Sequence, residues 1–241
     1  MRRVTDAFVT NSLAGKDYLM QTLGVAPQAI FARPYQVPDV AALLKQSEQV
    51  KSDSQPFQCP IFLFAGQLIP RKGLHQLLEA CRVLRDRGYH NYTLLVAGEG
   101  PQRQALQEFC RAENLDAYVY WLGWVSYGQL GAYFQSADVF ILPTLEDVWG
   151  MVVLEAMAFG KPILCSQRAG ASEMVLDGEN GHLFEPDNPE DIADAMARLI
   201  DTPEQIMEMG QRSQQLIAHH TPGDAAQFLT KVTHMVAEVR L

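Results

Sequence analysis

Val139-Phe-Ile-Leu142-Pro-Thr-Leu-Glu146-Asp147-Val-Trp-Gly150-Met-Val-Val-Leu-Glu155-Ala-Met-Ala-Phe-Gly160-Lys-Pro-Ile163-Leu-Cys165 holds one complete repeat of an alternating architecture. Val139–Leu142 is a short, uniformly apolar run that reads as a strand covered on both faces. A polar loop with two acids follows, then Gly150, and then a helix over about 150–159 that is apolar nearly all round. Residues 163–165 give the next strand. The same alternation runs outward from here. Upstream, Ile61–Ala65 reads as a strand, and Leu74, Leu77, Leu78, Cys81 and Leu84 recur at helical spacing. Thr93–Ala97 is the next strand, and a helix opens at Pro101. Residues 119–122 form a third strand, with a helix on Leu130, Tyr133, Phe134 and Ala137. Downstream, Ile192, Ala195, Met196, Leu199 and Ile200 mark another helix. Strict alternation of fully apolar strands with helices predicts an α/β, Rossmann-like, doubly wound parallel sheet.

The first fifty residues differ in kind. They offer a strand at 7–10, a helix at about 13–23, a short strand at 30–33 and a weaker helix at 40–50. Residues 51–60, polar with two prolines, read as a linker. Two strands and two helices cannot bury a core of their own, so residues 1–50 form a partial N-terminal α/β segment that needs something else to pack against. The sheet domain is assigned to 61–222. A last helix at 225–239 follows the break at 219–223, within a closing segment 223–241.

The chain has 241 residues, with 19 Lys and Arg against 28 Asp and Glu, a net charge of 19 − 28 = −9. At 48% apolar and 20% charged it has globular composition. The acidic balance and the lack of any basic run argue against a nucleic-acid partner. No apolar stretch approaches the roughly 20 residues of a bilayer span, so no transmembrane segment is expected. Acidic Asp6 closely follows Met1-Arg2-Arg3, where a signal peptide would need apolar residues. The reading is a cytoplasmic protein, with peripheral contact to an inner membrane left open. Cys59, Cys81, Cys110 and Cys165 are widely spaced and read as free thiols, three of them in apolar surroundings. The histidines lack ligand spacing, and no Asp-x-Asp pair is present, so no metal or cofactor is expected.

In a doubly wound fold the ligand lies at the carboxyl ends of the strands. Glu155 stands alone in its apolar helix, and burying a carboxylate without a partner is costly, so it should be bonded to something. It is either salt-bridged or a carboxylate that accepts a pair of hydroxyls. It lies about 6–8 Å along the axis from the amides at the helix start, which form an anion site. Phosphate at that start and ribose one turn further in fit this spacing. Gly66-Gln67-Leu-Ile-Pro-Arg71-Lys72-Gly73 sets two cations at a strand end, suited to a diphosphate or simply solvated. Gly98-Glu-Gly100-Pro101 lacks the third glycine of a dinucleotide fingerprint. Trp121, Trp124 and Tyr127 either line a base pocket or pack under the loop, and packing is the preferred reading. Neither a G-x-S-x-G elbow nor a P-loop is present.

With Gly66…Lys72-Gly73, Gly98-x-Gly100, Gly123-Trp-Val125, Ala137-Asp138-Val139, the run from Asp147 to Ala158, and Ala171-Ser-Glu173…Asp177-Gly…Asn180-Gly181, the chain resembles the family 4 glycosyltransferases. The resemblance runs motif by motif over about 60–205. It implies a retaining, metal-independent sugar transferase of the GT-B fold, of which this is the C-terminal, nucleotide-sugar-binding domain. It implies that Glu155 binds the nucleotide ribose and that Asp147, where the family has Glu, contacts the donor sugar; neighbouring Glu146 is the other acid in reach. The amides of Trp149, Gly150, Met151 and Val152 would hold the diphosphate, with Val148 beside them. Lys72 would neutralise the leaving group. Gln67 stands where the family has Arg, which leaves Arg71 to supply that charge. Gly66 and Gly98 would line the donor site, and Val125 would lie near the base.

The resemblance also makes residues 1–50 the end of an N-terminal acceptor domain whose remainder is missing, and the last helix a crossover to it. The expectation is a truncated hexosyltransferase fragment that takes its sugar from a nucleoside-diphosphate sugar. Its acceptor is unnamed; polysaccharide or glycolipid assembly is the common family use. A catalytically inactive nucleotide-sugar-binding module is the alternative. An upstream stop codon with no frame for an acceptor domain would refute truncation.

Overall fold

The computed structural model describes residues 5–37 and 57–239. The helix expected at 40–50 and most of the linker at 51–60 lie outside the described residues. The chain divides into two compact units, Asp39–Ile217 and Met1–Pro38 with Ala218–Leu241.

The larger unit is a six-stranded parallel sheet. Its strands are β3 (Ile61–Ala65), β4 (Thr93–Ala97), β5 (Val119–Gly123), β6 (Val139–Leu142), β7 (Ile163–Ser166) and β8 (Gly181–Phe184), arranged in space as β5-β4-β3-β6-β7-β8. The register places Ile61 beside Thr93 and Ala65 beside Ala97 on one side of β3, and Phe62 beside Val139 on the other. The chain therefore winds outward from β3 to β5, then returns to the far side of β3 and winds the other way. That reversal brings the loops leaving β3 and β6 side by side at the carboxyl ends of the strands, where a doubly wound sheet places its ligand crevice.

Helices cover both faces: α2 (Leu74–Asp86), α3 (Arg103–Ala112), α4 (Tyr127–Ser136), α5 (Met151–Ala158), α6 (Pro189–Asp201) and α7 (Glu204–Ile217). The five α2 positions expected inside are all buried, together with Ala80 and Val83. Helix α2 packs against α6, and Arg87 clamps their ends by donating to Asp194 at 2.6 Å and to Glu190 at 2.5 Å. β8 and α7 were not read from the sequence. β8 is only four residues long and includes His182, while Gly210 and the scattered Gln205, Gln211, Gln214 and Gln215 interrupt the apolar signal of α7. The helix expected to open at Pro101 begins at Arg103.

α4 starts at a capping box. Ser126 Oγ accepts from the Gln129 amide at 3.4 Å, and Gln129 Oε1 accepts from the Ser126 amide at 3.1 Å. Ser126→Ala is expected to lower stability by about 1 kcal/mol, read as a lower urea midpoint at unchanged slope.

In the smaller unit, β1 (Phe8–Thr10) and β2 (Ile30–Ala32) pair in parallel around α1 (Leu13–Gln21), and α8 (Pro222–Val239) closes the chain. The Val37 amide donates to the His220 carbonyl at 2.8 Å. Arg33 donates to the His219 carbonyl at 3.0 Å and lies 5.7 Å from the centre of the Phe228 ring. Among its described residues only Ile30, Val37 and Val232 are buried apolar side chains. The described residues of this unit thus bury little apolar surface among themselves.

Candidate functional site

The loop after β3 runs from Gly66 through a 3-10 turn at Pro70–Lys72 to Gly73. Gly73 is left-handed at φ +69°, and a Cβ there would sit 1.9 Å from the Pro143 carbonyl oxygen. Only glycine allows this approach, which presses the β3 loop onto the loop leaving β6. The contact is stitched further at the Arg71 carbonyl, which accepts from the Leu145 amide at 2.8 Å and from Thr144 Oγ1 at 2.8 Å. Lys72 and Asp147, 75 positions apart, meet here as an ion pair, their side chains only 16% and 13% exposed.

The other Asp147 oxygen accepts from the Trp149 amide at 3.4 Å. The Asp147 carbonyl accepts from the Gly170 amide at 3.1 Å. Of the two acids, Asp147 is thus the one brought to Lys72. Glu146 is exposed and engages Arg71 through its backbone carbonyl, at 3.3 Å. Val148 points outward at 85% exposure, while Trp149 is buried. Because the Trp149 amide is already engaged, the anion site expected at residues 149–152 narrows to the amides of Gly150, Met151 and Val152.

Gly150 stands at φ +100° before α5, and a Cβ on it would lie 2.9 Å from Leu142 Cδ2. First-turn helix amides have no intrahelical acceptor and carry the positive end of the helix dipole. Glu155 follows at 8% exposure, one turn in. The Tyr127 hydroxyl, at the start of α4, donates to Glu155 Oε1 at 3.3 Å. Burial raises the Glu155 carboxyl to about 7, against the opposing pull of that hydrogen bond. Burial, then the Glu155 charge, raises the Tyr127 phenol to about 12.

A cleft of about 510 Å³ lies in front of these groups, lined by Gly66, Gln67, Gly98, Val125, Met151, Val152 and Glu155. All of these were expected from sequence. Glu99, Trp124, Tyr127 and Leu130 join them from the loop after β4 and from the β5–α4 segment. Arg71, Lys72, Glu146, Asp147, Val148, Trp149 and Gly150 are not part of this wall. Lys72 adjoins it, since a Cβ on Gly66 would lie 4.0 Å from Lys72 Cδ.

The aromatic cluster corrects the sequence reading. Trp121 packs against the core, but Trp124 is 73% exposed and Tyr127 48%, both at the cleft. β5 ends at Gly123, and the chain turns off the sheet before either side chain can enter the core. The capping box at Ser126 was the available signal for Tyr127, since it fixes that residue on the first turn of a helix. All four cysteines are free thiols, as read; Cys81, Cys110 and Cys165 are buried, and Cys59 is exposed. Among the described residues, no three His, Cys, Asp or Glu side chains stand together as metal ligands. No helix among them is long and apolar enough to cross a membrane.

The profile of the family described as Glycosyl transferases group 1 matches residues 38–216. The chain belongs to the group 1 glycosyl transferases. It is 34% identical over 140 residues to an uncharacterized glycosyltransferase of Methanocaldococcus jannaschii, covering 58% of this chain and 35% of that relative. It is 32% identical over 151 residues to the D-inositol 3-phosphate glycosyltransferase of Pseudarthrobacter chlorophenolicus, covering 61% and 36%. It thus spans well under half the length of the curated relatives it matches. Among solved structures, the lipopolysaccharide outer core galactosyltransferase WaaB superposes with TM-score 0.78 at 20% identity, covering 95% of this chain and 62% of that one. Anabaena Alr3699/HepE in complex with UDP and glucose gives 0.70 at 19%, covering 96% and 63%. The α/β parallel-sheet fold of group 1 glycosyl transferases, GT-B in architecture, is therefore the fold of this chain.

Proposed function

We propose that this chain carries the donor site of a retaining, family 4 glycosyltransferase, which moves a sugar from a nucleoside diphosphate to an acceptor hydroxyl. The observation that carries this reading is the placement of Glu155 one turn behind a helix start, in a cleft at the sheet's reversal point, with Lys72 alongside. Glu155 takes the ribose hydroxyls. The amides of Gly150–Val152, with Lys72 and Arg71, hold the diphosphate and stabilise its departure. Asp147 orients the donor sugar, and Val125 and Trp124 flank the base. No covalent nucleophile is invoked. Departure and attack share one face of the sugar, the configuration is retained, and the diphosphate assists deprotonation of the acceptor without a metal.

We read the smaller unit as the closing part of the acceptor-side domain and this chain as one part of a larger enzyme. That enzyme works in the cytoplasm on a polysaccharide or glycolipid acceptor, and acceptor recognition lies outside this chain. Calorimetric titration with UDP, GDP and ADP tests the donor site. UDP leads because the Anabaena neighbour was solved with it. One nucleotide is expected to bind, and its unphosphorylated nucleoside more weakly. Binding by none of the three sinks the reading. Binding without sugar transfer, once the acceptor-side domain is supplied, leaves the inactive binding module.

A further inference from the structure

Lys72 and Asp147 come from the loops on either side of the sheet's reversal point, and their pair is largely shielded from water. Removing one member of such a pair leaves a charge that little solvent can compensate, so each group needs the other or a substitute. For Lys72 the substitute is close at hand. It adjoins Gly66, and Gly66 shares the cleft with Met151 and Val152 at the helix start. A diphosphate on those amides brings more negative charge to Lys72 than one carboxylate does. Asp147 is tethered on its other side only by the long bond from the Trp149 amide, 3.4 Å.

We propose that Lys72 is exchanged between two anions: Asp147 is its counter-ion in the empty site, and the arriving diphosphate displaces that carboxylate. The inference rests on the donor-site reading and deepens it. Asp147 is then a positioning residue before it meets any sugar. It stops Lys72 from being an unpaired, largely shielded cation, it competes with the nucleotide product and so speeds its release, and it is freed beside the donor sugar only when a diphosphate is present.

The test compares wild type with Asp147→Asn, which keeps the side-chain shape, and with Asp147→Ser as a second variant. Each is titrated with whichever of UDP, GDP or ADP binds, and with the matching nucleoside. Loss of the competing carboxylate is expected to tighten nucleoside diphosphate binding about three- to tenfold. Nucleoside binding should stay within about twofold, because it does not draw on Lys72. The unliganded variants should melt earlier than wild type, and the diphosphate-induced rise in midpoint should be larger. Unchanged or weaker diphosphate binding, with nucleoside binding intact, overturns the exchange and leaves the donor site standing. Failure of wild type to bind any nucleotide overturns both.

Discussion

Nucleoside diphosphate at 100 times its dissociation constant is expected to stabilise this chain by about 2.7 kcal/mol, a rise of about 5–10 °C in thermal midpoint for a domain of this size. Glu155→Ala is expected to abolish that rise. Glu99, Tyr127 and Glu155 are the titratable side chains among the described cleft residues, and Glu99 is already paired with Arg103. On the donor-site reading proposed above, Glu155 is the carboxylate that takes the pair of ribose hydroxyls. The substitution should cost the unliganded protein little, because it removes a carboxyl whose charge is disfavoured by burial. Differential scanning fluorimetry of both proteins, with and without nucleotide, makes the comparison. A full midpoint rise in Glu155→Ala would place the nucleotide elsewhere and remove the ribose role from this residue.

The second large effect is a pH dependence with a defined sign. Glu155 has a folded value of about 7, raised from 4.5. Between these two values the folded protein retains a proton that the unfolded chain has released. Stability therefore falls as pH rises through this window and levels off above pH 7. For a shift of this size the loss is on the order of 3 kcal/mol. Glu155→Gln, neutral at every pH, should lack this loss, so the difference in stability between the two proteins should grow from pH 4.5 to 7. Taking the difference cancels other groups, including His220, whose lowered value contributes a slope of opposite sign. Urea unfolding of both proteins at pH 4.5, 6 and 7.5 reads it out. Parallel curves would show that the Glu155 carboxyl is not raised.

The sequence by itself determined what is local. Apolar runs such as Ile61–Ala65 and Val139–Leu142 named the central strands, because a strand covered on both faces is built mostly of apolar residues. The relation of Gly150 to Glu155 was legible for a similar reason: Gly150 caps the helix that carries Glu155, and the rise per residue fixes their separation before any tertiary contact forms. The free amides at that helix start were readable too, apart from the Trp149 amide, which Asp147 occupies.

Tertiary structure alone decided what depends on strand order. Sequence called the strands parallel, but only the arrangement β5-β4-β3-β6-β7-β8 sets the β3 loop against the β6 loop. That arrangement pairs Lys72 with Asp147, 75 residues away, and leaves the Glu146 side chain in solvent. It also carries Tyr127 across 28 positions to Glu155. Trp124 illustrates the same limit, since a large aromatic reads as core until the turn after Gly123 shows it facing the cleft. Which charge meets which, and how much water reaches them, is set by the packing of loops far apart in the chain, and no local pattern encodes it.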